Sequence, residues 1–285
     1  MRNRLITILA ASCVVMTLGA RAEAPSVLSA RFVPERMDDF AWENDMIAFR
    51  AYGPAMRNNP ESAGIDCWLK RVSYPIIDKW YGQMKTKSYH KDWGEGNDPY
   101  HVGASAGCGG TALWINGKRE PLDTFVSWEI VKQTADKSVF VLNYENTIAG
   151  SLYKERKQIT IEPGKRLFRV DSTFWKDGRI AKTLPIAVGI TTHDGKAKPF
   201  SDQKEGWIAC WETIEGAGLG TGVMMAPSDI KEITVVNPSG RDTGHILIIT
   251  ETDSSGKLVY HAGYGWGKAG AITTEAQWQS YLSGF

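Results

Sequence analysis

The sequence predicts an all-β fold, a large antiparallel β-sandwich with one short helix near the C-terminus. Two observations carry the prediction. From residue 125 onward, short runs rich in β-branched and aromatic side chains alternate apolar with polar positions. Turn signals such as Ala135-Asp136-Lys137, Glu162-Pro163-Gly164-Lys165 and Lys176-Asp177-Gly178 interrupt those runs at short intervals, the rhythm of stacked antiparallel sheets.

Taken in order, residues 25–36 read as a lead-in strand. Residues 40–52 (FAWENDMIAFRAY) suit one strand better than a helical stripe, with Glu43-Asn44-Asp45 beside Trp42 and Arg50 further along. A loop is expected over 53–63. Within 65–79, Pro75 argues against a long helix and for a strand end or short turn. Residues 112–115 read as a strand and Asn116-Gly117 as a hairpin turn. Strands then follow over 126–134, 138–146, 153–161, 167–175, 184–191, 206–212, 220–226, 231–237, 245–252 and 257–265. Only 274–282 (TEAQWQSYL) has helical character, with Thr274 as N-cap. Without repeat, heptad or low-complexity tract, residues 23–285 read as a single domain.

Composition narrows the partners. With 33 basic and 32 acidic side chains the net charge is +1, which gives no electrostatic footprint for nucleic acid or an anionic membrane. The 11 Trp suit stacking on sugars or other ring-shaped ligands, and suit a large β-core equally well. Residues 1–22 combine two early positive charges, an apolar run and Ala20-Arg21-Ala22, the pattern of a secretory signal peptide. A periplasmic or secreted protein is therefore expected, with no membrane association after cleavage. Cys67, Cys108 and Cys210 would remain, an odd number that leaves at least one thiol unpaired. One disulfide among them and three small buried hydrophobes both fit.

Residues 89–114 (YHKDWGEGNDPYHVGASAGCGGTALW) are the stretch most suited to chemistry. His90, Lys91, Asp92, Glu95, Asp98, Tyr100 and His101 crowd together and a glycine-rich run over 103–110 follows, which reads as a working loop. His90 is the leading acid–base candidate, oriented by Asp92 or Glu95, with Tyr100 as phenolic acid or base. Arg50, Lys70, Arg71 and Lys91 are candidates to hold a substrate carboxylate, because abstracting a proton α to a uronate carboxylate develops charge that needs a nearby cation. Trp42, Trp93 and Trp211 are stacking candidates, and His261 is expected to face His90 across the site from another strand end. His90, Asp92, Glu95, Asp98 and His101 also offer donors for calcium or zinc, but at no recognised metal spacing, so no cofactor is expected, with a divalent ion such as calcium or zinc, Asp98 and His101 among its ligands, as the alternative. The glycine run lacks the Lys-Ser/Thr ending of a phosphate-binding loop.

RMDDFAWENDMIAFRAYGPA, GIDCWLKRVSYPIIDKWY, YHKDWGEGNDPYHVG, GCGGTALW, EGWIACWE and YHAGYGWGKAG, in that order, resemble the motifs of the DUF4861 family from about residue 36 onward. The resemblance implies an exported bacterial protein of polysaccharide-degrading gene clusters and a galactose-mutarotase-like β-supersandwich. It also implies a lyase or dehydratase acting on a uronate-containing oligosaccharide. A sugar mutarotase or epimerase and a non-catalytic oligosaccharide-binding module are the alternatives. The family supplies no catalytic motif to carry over, and Trp93 stands where a histidine is expected in relatives.

Overall fold

A computed structural model describes residues 26–60 and 63–285, so the expected signal segment, residues 1–22, lies outside the described residues. Among the described residues the strands form three antiparallel sheets. The largest runs Lys198–Asp202, Trp207–Ile214, Ala217–Met224, Lys257–Trp266, Leu167–Lys176, Ser151–Ile161, Ser138–Ile148 and Phe125–Gln133, neighbour to neighbour. One smaller sheet contains Ser29–Val33, Asp39–Glu43, Ala48–Ala51, Ile65–Lys70 and Gly96–Asn97. The other contains Glu232–Val236, His245–Glu251, Pro185–Thr191, Cys108–Ile115 and Lys118–Glu120.

Both smaller sheets pack on one face of the large one, joined to each other where Ile65 bridges Gly107. Alternation makes this possible: along Ser151–Ile161, Tyr153, Glu155, Lys157, Ile159 and Ile161 point into the core while their neighbours face outward. The all-β sandwich expectation holds. The C-terminal helix Glu275–Ser283 covers the other face of the large sheet, its start fixed by a capping box from Thr274 and Gln277. Gly220 and Gly222 lie under Trp278, where a side chain would collide with the indole.

Some local expectations are corrected. Residues 40–52 form two paired strands, Asp39–Glu43 and Ala48–Ala51, because the Asn44 carboxamide accepts from the Met46 and Ile47 amides and closes a turn between them. A helix, Ile77–Gln83, follows Pro75, which precedes the helix and so does not interrupt its hydrogen bonds. Part of the glycine run enters strand Cys108–Ile115. The Asn116-Gly117 hairpin turn is present, with both residues at positive φ.

Trp42 is completely buried and packs against Phe49, Phe140 and Phe168 with ring centroids at 5.7, 5.4 and 5.5 Å. It is a core residue, not a stacking platform. Lys70 is sealed in as well, its Nζ donating to Glu43 Oε2 at 2.6 Å and to the Asn44 and Tyr74 carbonyls. Glu43 in turn accepts from the Ile76 and Ile77 amides, which ties the new helix to the sheet. Neither charge is open to a ligand. Cys67, Cys108 and Cys210 are buried free thiols, so no disulfide joins them.

Removing one member of a buried ion pair leaves the other uncompensated. Lys70→Met is therefore expected to cost about 3–5 kcal/mol in urea unfolding. A loss no larger than that of the exposed control Lys132→Met would contradict this account.

Candidate functional site

The segment between the helix Ile77–Gln83 and the strand Cys108–Ile115 borders two clefts. Between them it dips into the protein at Asn97 and Asp98. There Arg50, itself buried, donates to Asp66 Oδ2 at 2.5 Å and to Asp98 Oδ2 at 3.1 Å. Burial first, and then the neighbouring Asp66, push the Asp98 carboxyl well above the usual range against the pull of Arg50. Arg50 is thus the internal anchor of the loop and is not available to hold a substrate carboxylate.

The first cleft, about 280 Å³, is lined by Tyr74, Lys79, Trp80, Lys87, Lys91, Trp93 and Glu95 among others. Its floor is fixed. The Asp92 carboxylate accepts from the Gly94 and Gly96 amides and pairs with Arg71 and Lys268. Glu95 accepts from Tyr74 Oη, Lys79 Nζ and Trp80 Nε1. Asp92 and Glu95 therefore hold the loop together and do not orient His90. Arg71 is likewise occupied.

The second cleft, about 460 Å³, lies where several strands end. Pro99 and His101 come from the loop, His193, Asp194 and Lys196 follow strand Pro185–Thr191, Glu212 lies on strand Trp207–Ile214, and Arg241 and Asp242 precede strand His245–Glu251. His193 Nδ1 lies 2.8 Å from Glu212 Oε1 and its Nε2 lies 2.8 Å from the His101 carbonyl. Both partners accept, so the ring satisfies both only as an imidazolium whose charge Glu212 balances.

His101 is arranged differently. Its Nε2 lies 2.8 Å from Asp242 Oδ1, and a carboxylate only accepts, so that nitrogen carries the proton. No partner engages Nδ1 among the described residues, and the half-exposed ring lines the cleft. Arg241 reaches the same pair, its Nη2 3.5 Å from His101 Nε2 and its Nε 3.7 Å from Asp242 Oδ2, with the side chain otherwise in solvent, and Lys196 has no ion-pair partner among the described residues. An imidazole held between two acceptors, a second one set against a carboxylate and two cations thus share one concavity.

Backbone strain concentrates here. His193, Asp194 and Asp242 all have positive φ without being glycine, a conformation that persists only when its surroundings impose it. The Asp194 carboxylate imposes it, accepting from the Asp242, Thr243 and Gly244 amides. Those bonds, Asp242's first, hold its carboxyl below the usual range. Gly103 is needed for a related reason: at φ +52 a Cβ would fall 1.9 Å from Asp242 Oδ2.

The remaining candidates divide. Tyr100 is buried, its ring edge-on to His193 at 4.6 Å and its hydroxyl unpartnered, and burial raises its pKa well above the usual phenol range. It supports the imidazolium and does not face substrate. His90 is exposed, Nδ1 donating to the Asp98 carbonyl at 2.9 Å, and lines neither cleft. Trp211 packs with Phe200 and the C-terminal helix. His261 packs on Phe285 at 5.1 Å in a separate cleft with Arg169 and Glu162, so it does not face His90. Asp98 and His101 have separate partners, and among the described residues no group of three or more His, Cys, Asp or Glu side chains is placed to hold a metal. The sequence reading missed His193, Glu212 and Asp242. A usable signal was present, since Thr192-His193-Asp194-Gly195 interrupts an apolar strand with a polar turn.

A family model described as a domain of unknown function, DUF4861, matches residues 18–285. Uncharacterized protein P7 of Formosa agariphila is 32% identical over 279 residues, covering 94% of this chain and 69% of that protein. The chain belongs to the DUF4861 family. Among solved structures, an α-galactosidase from Lactobacillus brevis overlaps 82% of this chain and 40% of its own, at 9% identity and a TM-score of 0.38. A polysaccharide lyase overlaps 84% of this chain and 34% of its own, at 13% identity and a TM-score of 0.26. The chain spans less than half the length of these solved structures. Likeness at that level says nothing about activity.

Behind the second cleft, His245 Nε2 accepts from the Ala106 amide at 3.1 Å and lies 3.1 Å from Arg119 Nη1. Burial, then Arg119, lowers its pKa from 6.5 to about 3. The unfolded chain therefore binds a proton that the folded one refuses, and this contribution to stability is lost as pH falls from about 6.5 towards about 3. Urea unfolding is expected to show that loss, at most about 1.4 kcal/mol per pH unit from this group. His245→Gln should show a shallower decline; an unchanged slope would contradict the assignment.

Proposed function

We propose that this DUF4861 member is an exported carbohydrate-active enzyme whose second cleft eliminates water or a glycosidic leaving group from a uronate unit of an oligosaccharide. The single observation that carries the reading is the His101–Asp242 contact at 2.8 Å beside Arg241 and Lys196. A carboxylate that fixes the imidazole tautomer leaves Nδ1 as a base. The proton α to a uronate carboxylate is acidic enough to remove only when the developing enolate charge is met by cations, which Arg241 and Lys196 supply.

The step balances on one residue. His101 Nδ1 takes the α-proton, and the C–H electron pair becomes the new double bond as the β carbon–oxygen bond breaks. The imidazolium so formed returns its proton to the departing oxygen. The products are an unsaturated uronate and water or a shortened sugar. A mutarotase would change only the anomer ratio, an epimerase only the configuration of a carbon, and a binding module nothing covalent.

The test is incubation with saturated and unsaturated uronate oligosaccharides, read by mass spectrometry and by the ultraviolet absorbance of a conjugated double bond. His101→Asn is expected to lower turnover by roughly 10²–10⁴-fold while the fold, checked by circular dichroism, is kept. His90→Ala should lower it far less. Turnover retained in His101→Asn, or no covalent change with any uronate substrate, would overturn the reading.

A further inference from the structure

The first cleft has no part in the chemistry above, yet its walls are those of a ligand site. Trp93 is 51% exposed, unusual for an indole, and its orientation is set by Nε1 donating to the Ser88 carbonyl at 3.0 Å. Lys91 Nζ lies 4.5 Å and Lys87 Nζ 5.7 Å from the ring centroid. Neither lysine is matched by a carboxylate among the described residues, whereas Lys79 is paired with Glu95. Tyr74, 47% exposed, forms another part of the wall. Lys91 and Lys87 stand over the Trp93 ring and Lys79 over the Tyr74 ring, so an arriving sugar meets an exposed indole flanked by two unmatched ammonium groups, which offer charge for an anionic substituent.

The setting is rigid. Gly94 and Gly96 have positive φ, and a Cβ on Gly96 would fall 1.9 Å from the Leu69 carbonyl oxygen, so the loop has little freedom to collapse into the cleft. Its two amides are held by Asp92. The position matters as much as the chemistry. Gly96 lines this cleft and Pro99 lines the other. Three peptide steps separate their Cα atoms by at most about 11 Å, a gap that a short oligosaccharide bridges.

We propose that the Trp93 cleft is a second saccharide-binding site that holds an anionic sugar unit of the same oligosaccharide whose neighbouring unit reaches the His101 cleft. The continuity between sites rests on the proposed function; the binding at Trp93 does not. An oligosaccharide crossing the ridge formed by residues 97–98 would gain contacts that a single sugar unit lacks. Lys87 and Lys91 select for carboxylate or sulfate groups.

Isothermal titration calorimetry separates these claims. The probes are uronate tetrasaccharides prepared from pectin and alginate, a sulfated glycosaminoglycan tetrasaccharide, the matching disaccharides, and neutral cellotetraose. At least one anionic tetrasaccharide is expected to bind wild-type protein more tightly than its disaccharide and than cellotetraose, with affinity falling as salt rises. Trp93→Ala and Lys91→Gln should each weaken that tetrasaccharide by roughly tenfold. His101→Asn should still bind it, so failed turnover in that variant does not disturb the Trp93 site. Unaltered affinity in Trp93→Ala, equal binding of cellotetraose, or no binding of any anionic tetrasaccharide would overturn the proposal.

Discussion

The arrangement at the second cleft depends on one carboxylate whose oxygens are committed to the backbone. Asp194 accepts from three successive backbone amides, those of Asp242, Thr243 and Gly244, and so folds residues 240–244 into a fixed turn. That turn aims the Asp242 side chain at His101, across a gap of 141 positions in sequence. Positive φ at Asp194 and Asp242 is the conformational cost, of order 1–3 kcal/mol for each residue. The Thr243 hydroxyl, accepting from the Ser239 and Gly240 amides and donating to the Gly240 carbonyl, shapes the tip of the loop, and Asp194 fixes its base to the neighbouring turn. Gly103 completes the fit by leaving space for Asp242 where any side chain would intrude.

A second layer of buried charge holds the other side of the same loop. Arg50 grips Asp98 and Asp66, while Lys70 and Glu43 lock the helix Ile77–Gln83 to the sheet beneath it. Buried ion pairs add little net stability over apolar substitutes, but they penalise any arrangement that separates them. Here they fix where residues 89–103 run, with one cleft on either side. The polar residues most prominent in the sequence are therefore mostly structural. The second cleft is assembled where strand ends converge.

The sandwich was legible because alternation of apolar and polar residues is a local property, and strands such as Ser138–Ile148 and Ser151–Ile161 display it over their full length. The helix Ile77–Gln83 was not, because Pro75 reads as a breaker from sequence and turns out to stand just ahead of the helix. Burial was also invisible: Trp42, Lys70 and Arg50 carry the side chains of a binding site and lie in the interior. The stretch 89–114 that stands out in the sequence borders both clefts, with Trp93, Lys91 and His101 on their walls. His193, Glu212 and Asp242 escaped notice because each is unremarkable in its own segment, and only strand pairing and the turn at Asp194 bring them together.

Asp242 faces Nε2 of His101, and the proposed chemistry needs the proton there and Nδ1 as the base. Nitrogen NMR of the imidazole side chains, with His101 assigned by comparison with His101→Asn, reads that tautomer directly. The expected result is a neutral ring in the Nε2–H form at a pH where His101 is uncharged, with the preference lost in Asp242→Ala. A His101 ring that carries its proton on Nδ1, or that averages between tautomers as a free histidine does, would contradict it.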